Sequence, residues 1–275
     1  MVLVHLIEHG GHALDGASRH SIQQRSGSVS ACSQPQGMHM HLDRAASSFK
    51  ATNMLSKFNY THPPPKEEEK IRKEKRHVIE VDKNYKYTHI YTSTIKKEKN
   101  SKRKVQRLTG GDFHVNSFDW SPDGKTIVFS HKANPKINTN RIDADISLVK
   151  SDSSALKILV SRPGPDTNPK FSPDGQQIAF QSTGGRPEPI GMDDIYVVSK
   201  DGTGLRKLME TPDRNASINC WGADGKSIYF TETLKTSRVL YNMPIEASNT
   251  SEITLMSNIN GVSTSYSLNP RTKEM

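Results

Sequence analysis

Trp120-Ser-Pro-Asp-Gly-Lys-Thr-Ile-Val-Phe-Ser130 decides the reading of this chain, because the chain writes it again twice. It returns as Phe171-Ser-Pro-Asp-Gly-Gln-Gln-Ile-Ala-Phe-Gln181 and as Trp221-Gly-Ala-Asp-Gly-Lys-Ser-Ile-Tyr-Phe-Thr231. The leading aromatics lie 51 residues apart (171 − 120) and then 50 (221 − 171). A repeat of that length marks a solenoid or a propeller rather than a single-core globule. In each copy an aromatic residue closes one strand, and the Asp-Gly turn follows, with Gly free to take φ > 0. A second strand then carries apolar residues two apart: Ile127 and Phe129, Ile178 and Phe180, Ile228 and Phe230. That spacing makes a hairpin with one face on a core. The aspartates of these turns read as turn-formers, not catalytic acids.

Set side by side, the units show more strands. A third begins at Asp145-Ile-Ser-Leu-Val149, at Asp194-Ile-Tyr-Val-Val198 and at Arg238-Val-Leu-Tyr241. A fourth follows at Leu156–Leu159, Leu205–Leu208 and Glu252–Leu255. Ahead of the first hairpin, Tyr87–Ile95 and Val105–Leu108 match the third and fourth strands. Beyond the last, Thr264-Ser-Tyr-Ser-Leu-Asn-Pro270 opens like a further hairpin. Four antiparallel strands per repeat make one propeller blade. The expected fold is all-β: an incomplete β-propeller of about three full four-stranded blades plus two partial ones. The expected division is a disordered or poorly packed segment over 1–55 and a charged linker with a helical excursion over 56–84. Blades then occupy 85–275, with hairpins at 117–131, 168–181 and 218–231.

Composition narrows the function. The 275 residues carry a net charge of +9, 33% hydrophobic residues and a mean hydropathy of −0.69, low for a chain packed throughout. The charge is local. Residues 66–107 hold 15 Lys and Arg against 7 Asp and Glu, so the remainder is near neutral. Lys66–Arg76 reads as a short solvated helix with Glu–Lys pairs four apart, not as a nucleic-acid contact. No apolar run approaches the roughly 18 residues of a membrane span, and Met1–His9 lacks the basic start of a secretory signal. Neither nucleic acid nor membrane is expected as a partner. Cytoplasm is the default compartment, with periplasm and secretion left open.

Cys32 and Cys220 are too few for a disulfide framework, and Cys220 beside Trp221 reads as a small buried hydrophobe. His5-Leu-Ile-Glu-His9 matches the inverted zinc-peptidase pattern, which needs a stable helix and a further ligand. It runs straight into Gly10 and Gly11, and His39-Met-His41 sits in a tract without pattern. No metal site and no cofactor are expected.

The propeller residues resemble the propeller domain of the prolyl oligopeptidase family of serine peptidases, in its acylaminoacyl-peptidase and dipeptidyl-peptidase-like branch. The resemblance rests on the Trp-Ser-Pro-Asp-Gly-Lys turns, on Leu108-Thr-Gly-Gly-Asp-Phe-His-Val-Asn-Ser-Phe-Asp-Trp120, and on the charged segment leading into Asp82-Lys-Asn-Tyr-Lys-Tyr-Thr-His-Ile90. It runs from about residue 55 to the end. It implies a non-catalytic lid that gates peptide access to a C-terminal α/β-hydrolase domain. That domain would carry a G-x-S-x-G elbow. Gly16-Ala-Ser-Arg-His20, Gly225-Lys-Ser-Ile-Tyr229 and Gly261-Val-Ser-Thr-Ser265 each lack the closing Gly. No catalytic residue is therefore assigned. The implied partners are peptide substrates, met through a hydrolase domain this chain lacks, and a second copy of the chain. The alternative is a free-standing propeller acting as a protein-binding scaffold, since Ser-Pro-Asp-Gly repeats also resemble the Tol-system propeller. Any surviving substrate contact is sought in the loop 183–194, at Arg186 and Glu188, which could meet peptide termini. An unclosed ring should leave Ile, Phe and Val of the terminal blades in water, so the isolated chain is expected to aggregate or partly unfold.

Overall fold

The structure, a computed structural model, describes residues 2–10, 60–61, 70, 73–74, 86–94, 105–133, 142–187 and 192–257. Its first sheet runs in the order β2-β1-β3-β4, from β1 (Val2–Gly10), β2 (Tyr60–Thr61), β3 (Lys86–Thr94) and β4 (Val105–Arg107). Three blades follow. The first is β5 (His114–Trp120), β6 (Thr126–Lys132), β7 (Asp143–Lys150) and β8 (Leu156–Val160). The second is β9 (Gly164–Phe171), β10 (Gln177–Ser182), β11 (Asp194–Ser199) and β12 (Arg206–Lys207). The third is β13 (Ser217–Trp221), β14 (Ser227–Leu234), β15 (Ser237–Pro244) and β16 (Thr254–Leu255). Within every blade each strand pairs antiparallel with the one before it. A two-residue parallel contact, Asp143 opposite Gly164 and Ala144 opposite Pro165, joins the first blade to the second.

The turns explain themselves. Ser121 Oγ donates to Asp123 Oδ1 at 2.6 Å, and Asp123 Oδ1 accepts the Lys125 N–H at 3.0 Å. Ser172, Asp174 and Gln176 repeat this at 2.5 and 3.0 Å. The Ser172 hydroxyl and the Gln176 N–H hold the Asp174 carboxyl below its ordinary value. Gly124, Gly175 and Gly225 close the turns at φ 68, 70 and 72°, where a side chain would be strained.

The core sits between sheets, not inside them, because alternate residues of a strand face opposite neighbours. Ile127 and Phe129 pack with Trp120 and Val149 against Ile90 and Leu108 of the first sheet. Val128, Ile146 and Leu148 pack the other way, onto Phe171, Ile178 and Phe180. Ala179, Ile195 and Val197 then meet Ile218, Trp221, Ile228 and Phe230. Four-stranded antiparallel sheets stacked face to face in chain order form a partial β-propeller. The all-β fold and the blades expected from the repeat are present.

Side chains and backbone also cross between blades. Asp119 Oδ2 accepts the Phe171 N–H at 2.9 Å, and Ser117 Oγ accepts the Asn168 N–H at 3.2 Å. One blade on, Gln181 Oε1 accepts the Ile218 N–H at 3.2 Å, and Trp221 Nε1 donates to the Lys170 carbonyl at 3.0 Å. The innermost strand of a new blade is thus received by the preceding blade. Asp119→Ala removes a buried acceptor and leaves the Phe171 N–H unpaired. It is expected to cost about 1–3 kcal/mol, read as a lowered denaturant midpoint at unchanged slope.

Some expectations change. The N-terminal segment is not patternless throughout: Val2–Gly10 pairs antiparallel with β3, from Val2 opposite Thr94 to Gly10 opposite Lys86. It takes the place of a second strand in what sequence reads as half a blade, and its Val, Leu and Ile content suits a sheet position. The bare edge of β3 supplies the physical reason, since its N–H and C=O groups need partners. His5 and His9 therefore sit on a strand, roughly 13 Å apart along it. The rest of 1–55 lies outside the described residues. So do Thr264–Pro270 and most of 56–84. Within that linker Tyr60–Thr61 pairs parallel with β1, and the Glu74 N–H donates to the Lys70 carbonyl at 3.0 Å. Finally, the last blade does not leave its outward face in water. Leu240 alternates with Val239 and Tyr241, which face the second blade, yet is 2% exposed. The exposed large apolar residues lie chiefly along the outermost strands instead: Val105, Leu156, Ile158, Leu205, Leu255 and Met256.

Candidate functional site

The connections between second and third strands, and those between blades, gather at the end opposite the Asp-Gly turns. Strand topology dictates this. The same end collects several buried ionisable groups.

His131, Ser182 and Glu232 stand two residues after Phe129, Phe180 and Phe230. Each anchors a different arrangement. His131 Nε2 lies 2.8 Å from Ser147 Oγ, and its ring lies tilted against Phe113 and Phe129, with centroids 4.9 and 5.3 Å away. Burial pushes its pKa down, against the pull of Asp145 and Asp143. Ser182 Oγ accepts from Arg162 Nη2 at 2.6 Å. The Arg162 guanidinium also forks onto Asp166, with Nη2–Oδ1 at 3.0 Å and Nε–Oδ2 at 3.1 Å. It lies 4.4 Å from the centroid of the Tyr196 ring. Asp166 is fully buried. Burial raises its pKa, and the Arg162 and Ser182 hydrogen bonds oppose that rise. Glu232 accepts the Thr211 hydroxyl and the N–H groups of Asp213 and Asn215 at 3.1 Å each, and burial raises its pKa too. Alongside it Asp194 holds Arg214 at 3.0 Å and Lys207 at 2.9 Å.

These side chains anchor the connections. The His131–Ser147 pair has the spacing of a base and a nucleophile. Ser147, however, is fully buried in mid-strand, opposite Phe129 on one side and Ile158 on the other. A nucleophile needs a strained turn beside free N–H donors, and a ladder position offers neither. Among the described residues no group of three His, Cys, Asp or Glu is placed to hold a metal ion.

His131 carries a prediction. Its folded pKa is depressed, so the native state favours the neutral ring while the unfolded chain takes the proton first. The contribution is present above the ordinary histidine value of about 6.5 and is lost as pH falls through it. Asp145 and Asp166 act in the opposite sense at lower pH, since their folded pKa values are raised. The difference in melting temperature between the native chain and His131→Gln should therefore shrink from pH 7.5 to pH 5.5. A constant difference would refute this.

Of the two loop residues singled out in the sequence, Arg186 is exposed and turned back on its own loop. Its Nε donates to the Thr183 carbonyl at 3.1 Å, and Thr183 Oγ1 donates to the Arg186 carbonyl at 2.6 Å. Glu188 lies outside the described residues. The loop is seated against Gly164, whose φ is +90° and where an added Cβ would fall 2.5 Å from the Arg186 carbonyl oxygen. Gly164→Ala is expected to cost about 1–3 kcal/mol from backbone conformation alone, more once the loop is displaced. A melting temperature unchanged from the native chain would contradict it.

Sequence reasoning missed Asp145, Asp194 and Arg162 as the polar skeleton of this end. The signal was present: both aspartates open a third strand, 49 residues apart (194 − 145).

No protein-family model matches the chain. It is 26% identical over 160 residues to dipeptidyl-peptidase 5 of Trichophyton schoenleinii, covering 54% of this chain and 22% of that protein. It is 29% identical over 143 residues to dipeptidyl-peptidase 5 of Porphyromonas gingivalis, covering 51% and 21%. The matched stretch thus spans about a fifth of the length of these curated relatives. Among solved structures, TolB from Acinetobacter baumannii superposes with a TM-score of 0.49 at 17% identity, over 66% of this chain and 40% of that one. The chain is a β-propeller region with dipeptidyl-peptidase relatives.

Proposed function

We propose that this chain is the non-catalytic, substrate-gating propeller segment of an oligopeptidase-like serine peptidase. It would act on peptides only together with the hydrolase domain of such a peptidase. The observation that carries this reading is the similarity to dipeptidyl-peptidase 5 from two distant organisms, confined to about a fifth of each relative. The geometry supports it. The buried ionisable side chains at the loop end spend their hydrogen bonds holding connections in place, which suits a rigid wall rather than a reacting centre. The propeller would contribute exclusion, so that short extended peptides pass and folded chains do not.

The non-catalytic half is tested on the purified chain with a fluorophosphonate probe and a dipeptidyl substrate. Neither serine labelling nor dipeptide release is expected. Stoichiometric labelling of any serine overturns the reading. Tight binding of an intact folded protein, with no effect on any peptidase, would favour the free-standing scaffold instead.

A further inference from the structure

Asn215-Ala-Ser217 and Asn249-Thr-Ser251 each place a serine two positions after an asparagine, with no proline between. That is the acceptor pattern for an N-linked glycan, and a glycan needs its asparagine on the surface. The burial of the asparagines sorts with the pattern. Among the described residues Asn116, Asn215 and Asn249 are exposed, whereas Asn168, Asn219 and Asn242 are half-buried. Two of the exposed three carry the pattern. None of the half-buried three does, since Pro-Lys follows Asn168, Cys-Trp follows Asn219 and Met-Pro follows Asn242.

The two matching sites are built differently. Asn249 caps a short 3-10 turn: its Oδ1 accepts the Ser251 N–H at 3.0 Å, and its Nδ2 donates to Glu252 Oε1 at 2.8 Å. The fold already uses that amide. At Asn215 only the backbone is held. Its N–H donates to Glu232 Oε1 at 3.1 Å, and it stands opposite Asp193 in a single parallel bridge between the second and third blades. The residues before it are braced as well. The Asp213 N–H donates to Glu232 Oε2 at 3.1 Å, and Arg214, at φ 50°, reaches Asp194 at 3.0 Å. Among the described residues the Asn215 side chain has no hydrogen-bond partner. A fixed backbone therefore presents an uncommitted amide to solvent, and Ser217 opens β13 beside it. Further along β13, Cys220 is fully buried and disulfide-bonded. Disulfides persist in the oxidising compartments through which N-glycosylated chains pass.

We propose that Asn215 is an N-glycan acceptor. In the transfer, Asn215 Nδ2 forms a bond to the anomeric carbon of an oligosaccharide carried on a lipid diphosphate, and the bond from that carbon to the diphosphate oxygen breaks. The lipid diphosphate leaves with the bonding pair, and one Nδ2 proton passes to a base of the transferring enzyme. Ser217 supplies the hydroxyl by which the pattern is recognised. The glycan then stands at the loop end of the seam between the second and third blades and keeps the connection 208–216 in water. A docked domain or a second copy must meet the propeller elsewhere.

The full chain, sent through the secretory pathway of a eukaryotic host behind a cleavable signal, tests this. Product from both cells and medium is mapped by peptide mass spectrometry. The peptide containing Asn215 is expected to bear a glycan in most copies. Ser217→Ala should abolish it with Asn215 still in place, and Ser217→Thr should restore it. Enzymatic removal of the glycan should leave the melting temperature unchanged, because the amide holds nothing in the fold. An unmodified Asn215 overturns the proposal, and so does a glycan that survives Ser217→Ala. A glycosylated chain that has lost its cooperative melt, where the Ser217→Ala chain keeps one, overturns it as well.

Discussion

Replacing Arg162 by methionine is expected to destabilise the chain by about 3–5 kcal/mol at neutral pH. The guanidinium is the charged partner of Asp166 at 3.0 Å, and the Asp166 side chain is 1% exposed. Removing it leaves a carboxylate in a site from which water is excluded, and the loss of that charge's partner outweighs the gain of apolar methionine packing on Tyr196. The variant offers its own control. Without the guanidinium, burial alone governs Asp166, so its folded pKa rises further above the unfolded value. A carboxyl with a raised folded pKa favours the protonated fold, and stability is lost as pH rises through that window. The destabilisation should therefore be smaller at pH 5 than at pH 8. Equal losses at both would mean that Asp166 is not left as a buried charge.

Phe180→Ala is expected to cost a similar amount, about 3–5 kcal/mol. Phe180 is fully buried between the first and second blades, among Val128, Ile146, Leu148, Phe171 and Ile178. Both sheets are held by their own ladders, so neither can collapse far into the space left behind. That is the situation in which truncation costs most. Because Phe180 joins two blades, its loss should lower the cooperativity between them as well as the midpoint. Exchange protection of β5–β8 should fall along with that of β9–β12. Loss confined to the second blade would show that the blades are stable separately.

The blades were legible because each rule of the repeat is local. An Asp-Gly turn needs positive φ, and a two-residue apolar period needs one buried face. Both are written in eleven residues and then copied. The polar end was less legible for a physical reason. Arg162 meets Asp166 and Ser182 only after the hairpin brings residues 166 and 182 opposite each other. Glu232 likewise reaches back across 17 to 21 positions to Asn215 and Thr211. The long loop at Arg186 was chosen for its length and charge, and the Arg186 side chain donates to the Thr183 carbonyl of the same loop. The added strand Val2–Gly10 was missed because its partner β3 lies some 80 residues away, and its own pattern, broken by His5 and Glu8, does not show which edge it will meet.

The direct test of the proposed lid function is an exchange of parts. In the Porphyromonas gingivalis dipeptidyl-peptidase 5, the matched fifth of the protein is replaced by the corresponding residues of this chain. Dipeptide release from short peptides and digestion of a folded protein are then measured side by side. The account predicts a folded chimera that still releases dipeptides and leaves the folded protein intact. A folded chimera that has lost dipeptide release, or that degrades the folded protein, would contradict it.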